Sequence, residues 1–393
     1  MKKLCAILLT FVLALSIFAA CDNSEGPAGT TINVYNWGQY ISDGTDGYVD
    51  VNAAFTEATG IEVNYMTFDS NESLYTKLKA GGSTYDVIIP SDYMVARLIA
   101  EGMLEPLDFS NIPNYGYVDD AYKNTAYDPN NLYSVPYTWG SVGIIYNTKY
   151  VDEVTSWNAL WDEKYSGKIL MFDNPRDAFA IAEFLNGDDV NSEDEAVLNA
   201  AAERLMAQKP FVQSYVMDQI YAKMEREEAW IAPYYAGDYL QMVQENENLA
   251  FAFPEEGFNI FIDAMCIPKD CQNKAAAEAY INFLCSPEIS GQNLEYLGYS
   301  TPISAAKEYM DPEVAENEIA YPDAETLERG RSFLSLNASA TQLMDSLWLE
   351  VKTTGSGSLL PAIIITVVIL GVAAFFILRA SAAKKRRARR GKA

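Results

Sequence analysis

The chain has 393 residues, about half of them apolar, which is enough for two domains with separate cores. It contains no histidine, which excludes Ser-His-Asp and Cys-His catalysis, His-containing zinc sites and an imidazole pH switch. Its 54 Asp and Glu outnumber 28 Lys and Arg, for a formal charge of −26; such a surface repels nucleic acid and draws in cations, although solubility alone also accounts for the bulk charge.

Lys2 and Lys3 precede an apolar run, Leu4 to Ala20, and residues 1–20 read as a secretory signal. Cys21 directly follows Ala19-Ala20, as in a bacterial lipobox, so lipid would attach at Cys21 and residues 21–30 would form a tether. Phe18 stands where Leu is usual, which leaves ordinary signal-peptidase cleavage open.

From Thr31 onward, strand and helix patterns alternate. Thr31 to Asn36 alternates as a strand and leads to Trp37 and Tyr40 around Gly38; an indole there could line a cleft or simply cap a core. The spacing predicts helices over 48–59, 69–80, 92–102, 156–165, 175–185, 238–247, 274–284 and 287–296, and largely over 321–348. Strands are predicted over 61–68, 85–90, 133–136, 141–146, 168–172, 230–235, 249–253 and 260–267. Such βα units imply an α/β fold with mainly parallel sheets, whose ligands bind at strand carboxyl ends; Trp37, Ser91 and Asp173 fall there.

Cys266, Cys271 and Cys285 lack metal-ligand spacing and read as buried thiols, with a single disulfide the alternative. No metal or other cofactor is expected. Residues 352–358 read as a Gly/Ser linker. Leu359 to Leu378 is 20 residues without a charge, about 30 Å as a helix and long enough to cross a bilayer. The basic tail, residues 379–393, then belongs on the cytoplasmic side and the acidic domain outside.

Several segments in order resemble the spermidine/putrescine-binding proteins of ABC transporters. They include Y-N-W-G-Q-Y-I (Tyr35 to Ile41), T-G-I-E-V-N-Y (Thr59 to Tyr65), Y-D-V-I-I-P-S-D-Y (Tyr85 to Tyr93), Y-S-V-P-Y-T-W-G (Tyr133 to Gly140), T-S-W-N-A-L-W (Thr155 to Trp161), Y-A-G-D (Tyr235 to Asp238), F-I-D-A-M-C-I-P (Phe261 to Pro268) and L-G-Y-S-T-P (Leu297 to Pro302). The resemblance implies a two-lobed, periplasmic-binding-protein-like fold of type II with a C-terminal transmembrane helix appended. Lobe 1 would be residues 31–139 and 261–307, and lobe 2 residues 140–260 and 308–351.

It also implies a site. Asp263 and the ring of Phe261 match a carboxylate and an aromatic of the family, the alternative for Asp263 being an internal salt bridge. Asp177 matches a second carboxylate. Asp238 resembles the aspartate of putrescine-binding members, with Tyr235 where those carry Trp; an ordinary charge at a helix start is the alternative for both. Trp37 and Tyr40 match the first aromatic wall, Ser91 and Tyr93 a hydroxyl and a ring, and Tyr299 a late tyrosine. Asn174 stands where spermidine-binding members often carry Asp, and Phe333 where some carry Gln.

The chemistry fits: ammonium groups need carboxylates and neutral acceptors, while the methylenes between them need flat apolar faces. The expected function is extracytoplasmic capture of putrescine or spermidine and delivery, without chemical conversion, to the permease subunits of an ABC transporter, by a monomer. The alternative is a solute-binding protein for another small cationic ligand. A glycosidase using Asp173 and Asp177 is the enzymatic rival; a sensory ectodomain would need a signalling domain that so short a tail does not hold.

Overall fold

Residues 29–82 and 84–353 are described by a computed structural model. Strand β1 (Thr31–Trp37) turns Ile32 and Val34 inward, both fully buried, as the alternation requires. It pairs in parallel with β2 (Glu62–Phe68) on one side and β3 (Val87–Ile88) on the other. The crossover helices carry their own start and stop signals. Asp50 accepts from Ala53 N at the head of the helix Val51–Thr59, and Gly60 closes it at φ 73°. Ser70 and Ser73 form a reciprocal cap on the helix Asn71–Ala80.

Two long antiparallel strands tie this half to the other. Strand β4 (Ser134–Asn147) pairs over Ser134–Ser141 with β9 (Phe258–Cys266). Over Val142–Asn147 it pairs instead with β7 (Ile231–Tyr235) and β8 (Leu249–Ala252). Strand β9 reaches β3 through Ile88 and Cys266, and its opening residues pair with β10 (Gly330–Arg331). Strand β5 (Ile169–Phe172) lies parallel to β7 and to β6 (Val212–Val216). The order is β2-β1-β3-β9-β4-β7-β5-β6. The chain therefore forms two α/β lobes, with β4 and β9 as the strands they share.

Four sequence expectations are corrected. The sheets are mixed rather than mainly parallel, because every pairing that β4 makes is antiparallel. The two strands read around Pro136 and Gly140 are one strand of 14 residues, which accommodates Pro136 at a register shift before Thr138. Residues 156–165 form two short 3₁₀ turns, Trp157–Trp161 and Glu163–Tyr165. Residues 321–348 are helical only at Ala324–Leu327 and from Ala338; between them the chain runs through β10 past the lobe boundary.

Cys266, Cys271 and Cys285 are free thiols, two of them fully buried. Among the described residues no helix is long and apolar enough to cross a membrane. The signal segment, Cys21, the apolar run 359–378 and the basic tail lie outside the described residues.

Candidate functional site

The carboxyl end of β1, the middle of β9 and the first turns of the helices Pro175–Asn186 and Ala236–Glu245 converge on one cleft of about 600 Å³. Asp263 projects from β9 opposite Thr138 of β4. The Tyr40 hydroxyl donates to Asp263 Oδ2 at 2.6 Å and lies 2.5 Å from Thr138 Oγ1. Asp263 is 3% exposed, yet its Oδ1 has no hydrogen-bond partner among the described residues. Burial pushes its carboxyl up to about 6, with hydrogen bonds from Ser91 and Tyr40 opposing and the Asp177 charge adding. Among the described residues no basic side chain pairs with it, which leaves the internal salt bridge without support there.

Asp177 sits in the first turn of its helix, where the Asn174 side chain caps its backbone N–H at 3.1 Å. The Asn174 amide and the Tyr235 hydroxyl, the latter at 3.1 Å, donate to Asp177 Oδ2, while Asn259 reaches Oδ1 at 3.4 Å. Asn174 thus acts by orienting Asp177. Burial raises the Asp177 carboxyl above its ordinary value, and those hydrogen bonds oppose it. Asp238, at the start of the next helix, accepts Tyr299 Oη at 2.6 Å on Oδ2 and Tyr221 Oη on Oδ1. It too is pushed up to about 6, again by burial first.

Rings connect these carboxylates. Tyr235 meets Phe261 edge-on at 5.4 Å, Phe261 lies 6.3 Å from Tyr299, and Tyr299 is 4.9 Å from Tyr40. Trp37 packs against Phe68, ring centroids 4.6 Å apart, and its buried Nε1 has no hydrogen-bond partner among the described residues. Ser91 and Tyr93 line the cleft as well, held by hydrogen bonds from the Asn71 amide at 3.1 and 3.0 Å. All ten side chains expected from sequence therefore share one cavity.

Asp173 does not join them. It pairs with Lys352 at 2.6 Å on the surface, so the proposed carboxylate pair with Asp177 does not form within the cleft.

Other lining residues were not among the ten expected. Phe333 arrives from the extended stretch after β10, edge-on to Tyr93 at 6.1 Å and with the Arg176 guanidinium 4.2 Å over its ring. Asp92, at the start of the helix Asp92–Ala100, is buried against the cleft, where its carboxylate accepts Tyr93 N at 2.7 Å and Ile262 N at 3.4 Å. Burial lifts it to about 8. Asp218 lines the mouth from the loop after β6.

Five aspartates and eight aromatic rings thus line the cleft, with no Lys or Arg. Burial of Asp92, Asp177, Asp238 and Asp263 disfavours their ionised forms while the cleft is empty, with the Arg176 charge only partly opposing it at Asp92 and Asp177. A ligand bearing several positive charges along an apolar chain relieves that penalty and lays its chain against the rings.

Comparison with known proteins is consistent with this arrangement. A family model for bacterial extracellular solute-binding protein matches residues 51–322. The chain is 35% identical over 327 residues to the spermidine/putrescine-binding periplasmic protein of Escherichia coli (strain K12), covering 82% of this chain and 91% of that one. Among solved structures, it resembles a Listeria monocytogenes ABC transporter protein assigned to spermidine and putrescine, with TM-score 0.79, 36% identity, and coverage of 82% and 99%. It also resembles the TpPotD lipoprotein of Treponema pallidum, with TM-score 0.71, 26% identity, and coverage of 82% and 99%. The chain belongs to the bacterial extracellular solute-binding protein family.

Proposed function

We propose that this protein captures a polyamine, putrescine or spermidine, outside the cytoplasm and hands it unchanged to the membrane permease of an ABC transporter. The observation that carries this reading is the cleft itself: five aspartates against eight rings, with no basic side chain among its lining residues. A sugar site has no use for so many unpaired carboxylates, and an amino-acid site needs a cation for the ligand carboxylate. The matched relative from Escherichia coli bears the name of a spermidine/putrescine-binding protein, which points the same way.

In this reading Asp263 receives an ammonium on its free Oδ1, Asp177 and Asp238 hold further ammonium groups, and Trp37, Tyr40, Tyr93, Tyr235, Phe261 and Tyr299 flank the methylenes. Ser91 adds a neutral acceptor. Each ring contributes about 0.5–2 kcal/mol of cation–π attraction where a charge lies over its face. Lobe closure about β4 and β9 would bury the ligand and present a closed form to the permease. The change of partners along β4 at Ser141 and Val142 supports lobe limits near residue 140. The protein would act as a monomer. It would be held at the extracytoplasmic face of the cell membrane by lipid on Cys21, by the run Leu359 to Leu378, or by both; the lipobox-like sequence and the uncharged stretch support this.

A thermal-shift panel tests the function. Diamines and triamines should raise Tm in a concentration-dependent way, while sugars, neutral amino acids and monovalent salts should not. A panel in which no polyamine shifts Tm overturns it.

A further inference from the structure

The cleft carboxylates differ in what already occupies them. Asp177 and Asp238 receive protein donors on both oxygens. Asp92 takes two backbone amides. Asp177 and Asp238 keep spare lone pairs, but two carboxylates present an oxygen with no protein partner at all among the described residues. One is Asp263, nine-tenths buried, whose Oδ1 has no partner. The other is Asp218, whose side chain has no hydrogen-bonding or ion-pairing partner on another described residue.

Their positions differ as much as their chemistry is alike. Asp263 lies deep on β9, whereas Asp218 is exposed on the loop between β6 and the helix Ile220–Glu225. Asp218 comes from the second lobe and meets the first at the turn after β1. A Cβ on Gly38 would lie 2.2 Å from Asp218 Oδ2. The Trp37-Gly38 turn therefore presses its bare backbone against the Asp218 carboxylate, and the Trp37 ring lines the cleft beside it. The charge of Asp218 raises the Asp238 carboxyl, while that of Asp177 raises Asp263.

Building on the polyamine reading, we propose that Asp218 receives the outermost ammonium of a bound polyamine, so that the cleft selects triamines over diamines. A ligand anchored at Asp263 reaches the mouth only if its chain continues past Phe261 and Tyr299. A diamine satisfies the inner carboxylates and leaves Asp218 unpaired; a triamine pairs it. Gly38 is the residue that leaves space for this contact.

The test compares D218N with wild type by calorimetric titration of the full chain with putrescine and with spermidine. The ratio of spermidine to putrescine affinity should fall about tenfold or more in D218N, as expected for loss of one charge-assisted contact. Gly38→Ala, which pushes the carboxylate aside, should lower the same ratio, with circular dichroism checking that the variant is folded. A ratio that stays within about twofold of wild type in folded D218N overturns the proposal, whether both affinities drop together or neither changes. Failure of wild type to bind any polyamine would instead refute the functional reading beneath it.

Discussion

The Tyr40 hydroxyl, 2.6 Å from Asp263 Oδ2, fixes one oxygen of that carboxylate and leaves the other without a hydrogen-bond partner among the described residues. The two residues lie 223 positions apart and come from a turn after β1 and from the middle of β9. Thr138, opposite Asp263 across the β4–β9 pairing, holds the same hydroxyl from its other side. A carboxylate held this way reorganises little when a cation arrives, so less of the binding free energy is lost to ordering.

Asp263→Asn should therefore weaken polyamine binding about 10- to 150-fold, the equivalent of ~1.5–3 kcal/mol for a charge-assisted hydrogen bond. Tyr40→Phe should cost less, because Asp263 keeps its charge. Asp173→Asn, altering a surface partner of Lys352, serves as the control and should leave affinity within about twofold. Calorimetry on the three variants decides the order.

Binding should weaken in acid. Asp263 and Asp238 both titrate at about 6 in the empty cleft, and an ammonium pairs with their ionised forms. From pH 7.5 to pH 5 affinity should fall, by up to about tenfold per pH unit for each group that must lose its proton. The sign for stability of the empty protein is opposite. These carboxyls hold protons more tightly folded than unfolded, so their contribution is fully present below the ordinary value of 3.8 and is lost as pH rises through about 6. Dissociation constants measured from pH 5 to pH 8, beside Tm of the empty protein, check both signs.

Gly237 is needed for a different reason. A Cβ there would lie 2.2 Å from the Tyr299 ring, whose hydroxyl donates to Asp238. Gly237→Ala should displace the ring, lowering affinity about tenfold. The overpacking of about 1–3 kcal/mol should also depress Tm by several degrees. Tyr299→Phe, which removes only the hydroxyl, should weaken binding with a smaller change in Tm. Paired melting and titration experiments separate the two effects.

Glu183 lies behind the site on the helix that carries Asp177, fully buried, with neither carboxylate oxygen partnered among the described residues. Burial lifts it to about 8, with Arg176 opposing. Wild type should therefore lose stability from this group as pH rises from its ordinary 4.5 through about 8, and Glu183→Gln should not. Melting curves at pH 5 and pH 9 should show the difference in Tm moving toward the variant by roughly 5 °C.

Elements with a clean period were legible in the sequence: the helix Lys274–Leu284 and strand β1 lie where periodicity places them. Strand β4 was not, because Pro136 and Gly140 read as punctuation, whereas the pairing with β9 absorbs them. The helices Glu195–Gln208 and Ile220–Glu225 and strand β6 between them gave no distinct pattern, since small and charged residues blur the apolar stripe. In the site, Trp37, Tyr40 and Ser91 stood at or just past predicted strand ends, and the other seven residues came through the family resemblance. Phe333 and Asp218 reach the cleft only through tertiary contacts, across from Tyr93 and Gly38, which no local pattern encodes.

Calorimetric titration of the purified protein with spermidine and putrescine at pH 7.5, with the ligand recovered afterward for mass analysis, bears most directly on the function. The expected result is saturable one-to-one binding with Kd below about 10 μM for at least one of the two, weakened by added salt, and recovery of the amine intact. No saturable heat with either amine, or recovery of a chemically altered one, would contradict it.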